Sequence, residues 1–474
     1  MRRALGRRSA TRTVTAVLAV AAALRLIYGP PHLGYDAWFA LDWGNDIAHL
    51  RMPDFTASIA PTPHPLANVV SAALSALGDA APTAVATVSV LSLAGLVVAV
   101  GTLGRRLFGT AAAIVAVGLL VTRPLLVMEA LYCSVDIPFL ALVAAASCTL
   151  VRDPSRHARV LAPLVLAGLL RPEGWLLAAV YAAWRWATDR SARRMGLVAL
   201  VLAAPALWMA FDGIVTGDAL HSLHGTRDLA DELDRPRGEG TALAVAPGYL
   251  KAIVGEPVAW VGAAAGLAAV WLALDRAAVP LALLALGIAA FVVLGLASLP
   301  LLYRYLLLSG LGLMLLCGYG ASAWARDGPA RRRVPLALLA VGVLAAIGAS
   351  APSDVRRLHG VVAGASLRHR IEVGLQHVVR EPAVRAAWAA CREAQVPQHR
   401  PSPELAYLLD APLRDVTVPG ATSAGRGLLL QPTPGPIASS FVLTPASPPT
   451  FSTAQLARAT RIATTDTWQA FRAC

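Results

Sequence analysis

The sequence predicts an α-helical polytopic membrane protein with a C-terminal extracytoplasmic α/β domain, and three observations carry that reading. Of the 474 residues, 57% are hydrophobic and 15% are charged, with a mean hydropathy of +0.60. A soluble globular chain carries about 25% charge. Apolar runs that approach the thickness of a bilayer recur between residues 13 and 350, and then stop. These features exclude an ordinary soluble enzyme, a disordered chain and a disulfide scaffold. The formal charge of +13 would suit a nucleic-acid binder, but the basic residues sit at the edges of the apolar runs, so no nucleic-acid partner is expected. Nearly all of them are Arg (Lys251 is the one Lys) and Ala is abundant, a bias of a high-GC genome rather than of chemistry.

About eleven spans are expected: 13–28, 83–103, 108–122, 138–151, 159–170, 174–188, 195–211, 257–274, 278–298, 304–324 and 333–350. Several are shorter than the ~20 residues that cross a bilayer, so their bounds are soft. The first follows MRRALGRRSATR and no A-x-A cleavage site precedes a soluble domain, so it reads as an uncleaved anchor. With the N-terminus cytoplasmic, the inner segments 1–12, 105–106, 152–159, 185–194, 275–276 and 326–333 hold 19 Arg and four acids. The outer segments before residue 352 hold eight basic residues and sixteen acids, a strong positive-inside split. The same split divides 159–188. A single helix there would put Arg171-Pro-Glu-Gly in mid-membrane, whereas two short helices leave it at an outer turn.

Residues 1–351 therefore form the membrane domain and 352–474 an extracytoplasmic one. The tail has thirteen Arg and no span-length apolar run; alternation in SSFVLTP and a helical run at 380–395 suggest mixed α/β structure. Cys148 and Cys317 fall in spans and read as packing residues. Cys391 and Cys474 share the outer tail, where an oxidising compartment lets them pair or leaves two free thiols.

The acids concentrate on the outer side. In GYDAWFALDWGNDIAHL, Asp36, Asp42 and Asp46 lie in a helix-like stretch, and Trp38, Phe39 and Trp43 suit an amphipathic helix at the membrane surface. Asp46 and Asp54 read as solvated loop residues. Asp36 sits where the first span meets the loop, so desolvation is expected to raise its pKa toward a general base's range. The second outer loop carries Glu129 and Asp136, and the third carries Arg171 and Glu173, which either pair across a turn or serve a site. His221 and His224 form a weak His-x-x-His signal without a third ligand. Arg304, between two Tyr at a span's outer end, either snorkels or faces a lipid phosphate.

An acid after the first span, then Pro63-His64-Pro65-Leu66, then Asp136 in SVDIP, then Arg171-Pro172-Glu173-Gly174, then Arg304 in YRYLLL resembles, in this order, the GT-C-fold glycosyltransferases that use polyprenyl-phosphate sugars. Protein O-mannosyltransferases and aminoarabinose transferases belong to that superfamily. The resemblance covers about residues 1–350. It implies a polyprenyl-phosphate sugar donor reached from the outer leaflet, a polysaccharide, glycolipid or protein acceptor, and the lipid bilayer as partner. It implies an inverting displacement with Asp36 as base, and Arg304, Arg171, Glu173, His64, Asp136 and His224 around the donor. Many relatives carry an adjacent acidic pair where this chain has Asp36 alone, so a divalent metal, with Asp36 and Asp136 as its ligands, stays an open expectation. No P-loop or Rossmann glycine pattern points to a nucleotide donor. The competing classes are a transporter or flippase, which needs charges at mid-membrane and internal repeats, and a non-catalytic envelope scaffold.

Overall fold

The computed structural model describes residues 2–189, 195–326, 330–420, 425–441 and 448–474. The helices, in order, are α1 (Arg2–Tyr28), α2 (Tyr35–Ala48), α3 (Pro65–Ser75), α4 (Ala81–Phe108), α5 (Thr110–Thr122), α6 (Pro124–Leu131), α7 (Asp136–Arg152), α8 (His157–Gly168), α9 (Glu173–Thr188), α10 (Met195–Thr216), α11 (His221–Glu232), α12 (Glu239–Val254), α13 (Glu256–Leu272), α14 (Leu274–Leu296), α15 (Leu307–Ser322), α16 (Ala330–Arg380), α17 (Pro382–Cys391) and α18 (Ser402–Leu409). All eleven apolar runs of the sequence fall on helices. Among the described residues, six helices are long and apolar enough to cross a bilayer, or up to eight if each of two bent pairs is one span. The inner Arg segments 185–194 and 326–333 lie partly outside the described residues.

The two bent pairs have local causes. Arg123 precedes Pro124 and is forced extended (φ −79°, ψ 115°), which bends α5 from α6 by 61°. Gly255, at φ +88°, turns α12 into α13 through 105°. A helix broken within an apolar bundle strands backbone carbonyls. Arg123, at the first break, answers the second: its Nη1 donates to Val254 O at 2.7 Å, while its Nη2 pairs with Asp354 on α16 at 2.8 Å. Both side chains are buried, with exposures of 2% and 8%.

The break expected at RPEG is present, between α8 and α9. Here glycine is required by close approach, since a Cβ on Gly174 would stand 2.5 Å from the backbone N of Gly168. Trp175 Nε1 donates to Gly168 O at 2.9 Å across the same turn.

Helix α16 runs without interruption through the boundary expected at 351/352, carrying the chain from the bundle into the tail. The tail holds a five-stranded mixed sheet in the order β2-β1-β3-β5-β4. Its strands are β1 (Ala394–Gln395), β2 (Val416–Thr417), β3 (Gly427–Pro432), β4 (Thr460–Thr464) and β5 (Trp468–Ala473). Strand β1 is parallel to β2 and β3, and β5 is antiparallel to β3 and β4. Of SSFVLTP, Ser439 closes a short helix and residues 442–445 lie outside the described residues. In the run 380–395, α17 ends at Cys391 and β1 follows. Cys391 and Cys474 are disulfide-bonded, with Cα atoms 5.8 Å apart.

The tail shares a core with the segment that follows α1. Phe39, Trp43 and Phe55 are buried in one cluster with Ile371, Leu375, Leu405 and Trp468, and Trp38 packs on Tyr407. The aromatics of α2, expected at a membrane surface, instead seat the tail. They leave the solvated face because the tail offers a larger apolar surface to bury. Asp42 goes inside with them and is 5% exposed.

Candidate active site

The short path from α1 to α2 positions Asp36. After the Gly29-Pro30-Pro31 break the chain runs alongside residues 131–132, where His32 N donates to Leu131 O and Gly34 N to Tyr132 O, both at 2.9 Å. A Cβ on Gly34 would lie 2.8 Å from Tyr132 O, so this contact requires glycine. Helix α2 starts at once, with Asp36 in its first turn, where the helix dipole favours a carboxylate. Arg304 arrives from the short turn Tyr303–Leu306 that leads into α15. Its Nη1 donates to Asp36 Oδ2 at 3.0 Å, and its Nε is buried without a hydrogen-bond partner among the described residues.

The pair opens on a cavity of about 340 Å³, which Glu129, Tyr132, Arg368 and Arg400 also line. Tyr303 donates to Glu129, which places a second carboxylate near Arg304. Burial is the largest influence on Asp36 and pushes its pKa up, but the charge and hydrogen bond of Arg304, with Arg235 behind them, outweigh it. Asp36 therefore titrates below the ordinary aspartate value, not above it as desolvation alone had suggested. On α2 the carboxyl pushed well up is Asp42, by burial and by neighbouring Asp46, and burial also raises Glu404 at the cavity. Asp42 does not line the cavity.

A second cluster adjoins the first. Arg171, 4% exposed, is ion-paired to both Asp136 and Glu173, which are 1% and 7% exposed. Ser134 Oγ donates to Asp136 Oδ2 at 2.5 Å. The Tyr305 ring lies beneath both guanidiniums, 4.6 Å from Arg171 and 5.8 Å from Arg304. His64 feels the charges of Asp36, Arg304 and Arg171, and burial pushes it down to about 3, so its imidazole is neutral. Its Nδ1 has no hydrogen-bond partner among the described residues. Asp36, Arg304, His64, Asp136, Arg171 and Glu173 are thus neighbours although the sequence scatters them over some 270 positions. His224 is not one of them. It lies on exposed α11, with Nδ1 2.7 Å from Asp218.

Among the described residues no three His, Cys, Asp or Glu side chains stand together as a metal site. Asp36 and Asp136 are each committed to an arginine. These residues do not fit a divalent ion, and no step is routed through one. Several cavity residues carried no clear signal in the sequence. Glu129 stood out only as an acid of the second expected outer loop, with no partner assigned to it. Tyr303 was visible only as a neighbour of Arg304, and nothing in the tail marks Arg400 or Glu404.

The chain is thus a bundle of membrane helices with two bent helix pairs, joined to a small mixed α/β domain beside a carboxylate–guanidinium cavity, a GT-C-like architecture. Among solved structures the chain is similar to ArnT from Cupriavidus metallidurans bound to undecaprenyl phosphate, with a TM-score of 0.55 and 14% identity over 98% of each chain. The apo state of the same protein gives 0.55 and 15% over 98% of each chain. An Archaeoglobus fulgidus oligosaccharyltransferase in complex with Zn and sulfate gives 0.50 and 12%, over 97% of this chain and 73% of its own. At these identities the likeness establishes the fold. No protein-family model and no curated protein matches the chain.

Proposed function

We propose that the protein is an inverting membrane glycosyltransferase that moves a hexose or pentose from a polyprenyl phosphate to an acceptor hydroxyl at the outer membrane face. The observation that carries this reading is the Asp36–Arg304 pair in a cavity at the end of a membrane helix. One charge suits an acceptor's proton and the other a donor's phosphate. The undecaprenyl phosphate bound to the similar ArnT structure supports the donor class. The Arg split supports a cytoplasmic N-terminus and an extracytoplasmic tail. The acceptor is a polysaccharide, glycolipid or protein.

In the reaction, an acceptor hydroxyl gives its proton to Asp36 while its oxygen bonds to the anomeric carbon. The bond from that carbon to the phosphate oxygen breaks, and polyprenyl phosphate leaves with the electron pair. Arg304 stabilises the growing negative charge with donors already in place. Because Arg304 also holds Asp36 down, sharing that guanidinium with the donor phosphate makes Asp36 a better base once the donor is bound. Arg171 is occupied by two carboxylates, so its part is to position Tyr305 and the span end rather than to meet the phosphate. Neutral His64 offers a hydrogen bond without adding charge.

The test is transfer from undecaprenyl-phosphate-linked labelled mannose or arabinose by the purified protein in nanodiscs. The expected result is release of undecaprenyl phosphate by wild type and a fall of about 10²–10⁴-fold in Asp36→Asn, the usual worth of a general base. Equal turnover in the two proteins would remove Asp36 from the mechanism and the main support for the reading.

A further inference from the structure

The cavity has a second cationic wall that the mechanism above leaves unused. Arg368 comes from the far end of α16 and Arg400 from the loop before α18. Both converge on one backbone oxygen: Arg400 Nη1 donates to Ser440 O at 3.0 Å, and Arg368 Nη2 donates to the same atom. Arg368 also lies 4.9 Å over the ring of Phe441. Each guanidinium carries five N–H donors, so among the described residues one carbonyl leaves most of them unanswered. Among the described residues neither arginine makes an ion pair, in contrast to Arg171 and Arg304. Glu404 lines the same cavity, 6% exposed, and its Oε1 has no hydrogen-bond partner among the described residues. Two adjacent arginines held by one carbonyl, with a nearby acid that does not pair with them, are arranged for an anion that arrives from outside.

The origin of these residues separates them from the donor. Arg304 enters at the start of a membrane helix, within reach of a lipid phosphate, whereas Arg400 belongs to the tail. Asp36 links the two sides. It is hydrogen-bonded to Arg304, and its charge also reaches Arg400. In an inverting displacement the attacking hydroxyl and the leaving phosphate lie on opposite sides of the anomeric carbon, with the base beside the hydroxyl. We infer that the acceptor carries an anionic group, a phosphate or a carboxylate, and that Arg368 and Arg400 hold this group while the acceptor's hydroxyl faces Asp36. This rests on the transferase reading for the word acceptor, and on the arginine geometry for the anion.

The test is binding to the full-length protein in detergent, using glucose 6-phosphate, glucuronate, glucose and farnesyl phosphate as probes. Glucose 6-phosphate and glucuronate should bind at least about 10-fold more tightly than glucose, in line with charge-assisted hydrogen bonds. Arg400→Gln and Arg368→Gln should each weaken the two anionic sugars by about 10-fold or more, and Arg400→Lys by less. Arg304→Gln should weaken these two less than Arg400→Gln does, and farnesyl phosphate more. Matching thermal unfolding of Arg400→Lys and wild type separates a lost site from a lost fold. Equal binding of glucose and glucose 6-phosphate, or no dependence on Arg400 and Arg368, overturns the inference. So does a loss in Arg400→Gln confined to farnesyl phosphate, which would assign the pair to the donor. If the anionic sugars depend on Arg400 while wild type releases no undecaprenyl phosphate from a sugar-linked donor, the anion site stands and the transferase reading fails.

Discussion

Replacing Arg304 with Gln should change donor affinity and the pH profile together, because one guanidinium serves both. Its Nη1 lies 3.0 Å from Asp36 Oδ2, with side chains 25% and 32% exposed. Unit charges about 4 Å apart at an effective dielectric near 20 interact by about 4 kcal/mol, and solvent at a partly open pair reduces this to about 1–2 kcal/mol. A phosphate held by charge-assisted hydrogen bonds loses about 1.5–3 kcal/mol with its partner, or about 10–150-fold in donor affinity. The sign of the pH effect follows from the forces on Asp36. Burial raises its pKa and Arg304 more than cancels the rise, so in Arg304→Gln the burial effect is released. The acid limb of kcat/KM should move to higher pH, and the variant should be more impaired at pH 5 than at pH 8. Arg304→Lys should return the limb toward its place but recover only part of the donor affinity, since an ammonium has no planar fork. Initial rates from pH 4 to 9 and farnesyl phosphate binding measure the two effects separately. An acid limb that does not move in Arg304→Gln would show that Asp36 is not the titrating base, or that the ion pair does not persist in the working enzyme.

Asp42→Asn should keep turnover, because Asp42 lies outside the cavity. Its raised pKa means the folded protein binds this proton more tightly than the unfolded chain, so its burial is unfavourable above the folded pKa. The variant's melting temperature should accordingly equal or exceed wild type at pH 8, with the gain shrinking toward pH 4. Arg123→Leu should lower stability by about 3–5 kcal/mol by leaving Asp354 buried without its partner, and Arg123→Leu with Asp354→Leu should recover much of the loss in thermal unfolding. Cys474→Ser opens a link across 83 residues of sequence and should cost about 2–4 kcal/mol. Reduction of wild type should lower its melting temperature to that of Cys474→Ser.

The helices were legible because bilayer-facing segments must be apolar along their length, and all eleven runs fall on helices. What the runs do not encode is where a helix bends. The breaks at Arg123-Pro124 and Gly255 went unread, and the hydrogen bond from one break to the other depends on how non-adjacent helices pack. The site was legible in part for a similar reason. Asp36, Arg304, Asp136, Arg171 and Glu173 each stand where an apolar run ends, so position alone marks them. Their pairing is not marked, and it decides their chemistry: Asp36 is lowered rather than raised because Arg304, 268 positions away, meets it. Arg400 and Glu404 sit in a polar segment where a charge is unremarkable, and they gain meaning only when the tail closes over the cavity.

That closure bears on why the tail exists. Its core is built around Phe39, Trp43 and Phe55 of the segment after α1, so it cannot leave without exposing the helix that carries Asp36. Asp36 sits in the first turn of α2, one or two turns before the aromatics that seat the tail. A shift of the tail would therefore be felt at the carboxylate, and the same shift would carry Arg400 with it. Asp36 is thus held on one side by Arg304 of the membrane bundle and on the other by the packing of α2 against the tail. Loosening the tail through its disulfide should for that reason reduce turnover more than donor affinity, because Arg304 does not depend on the tail for its place.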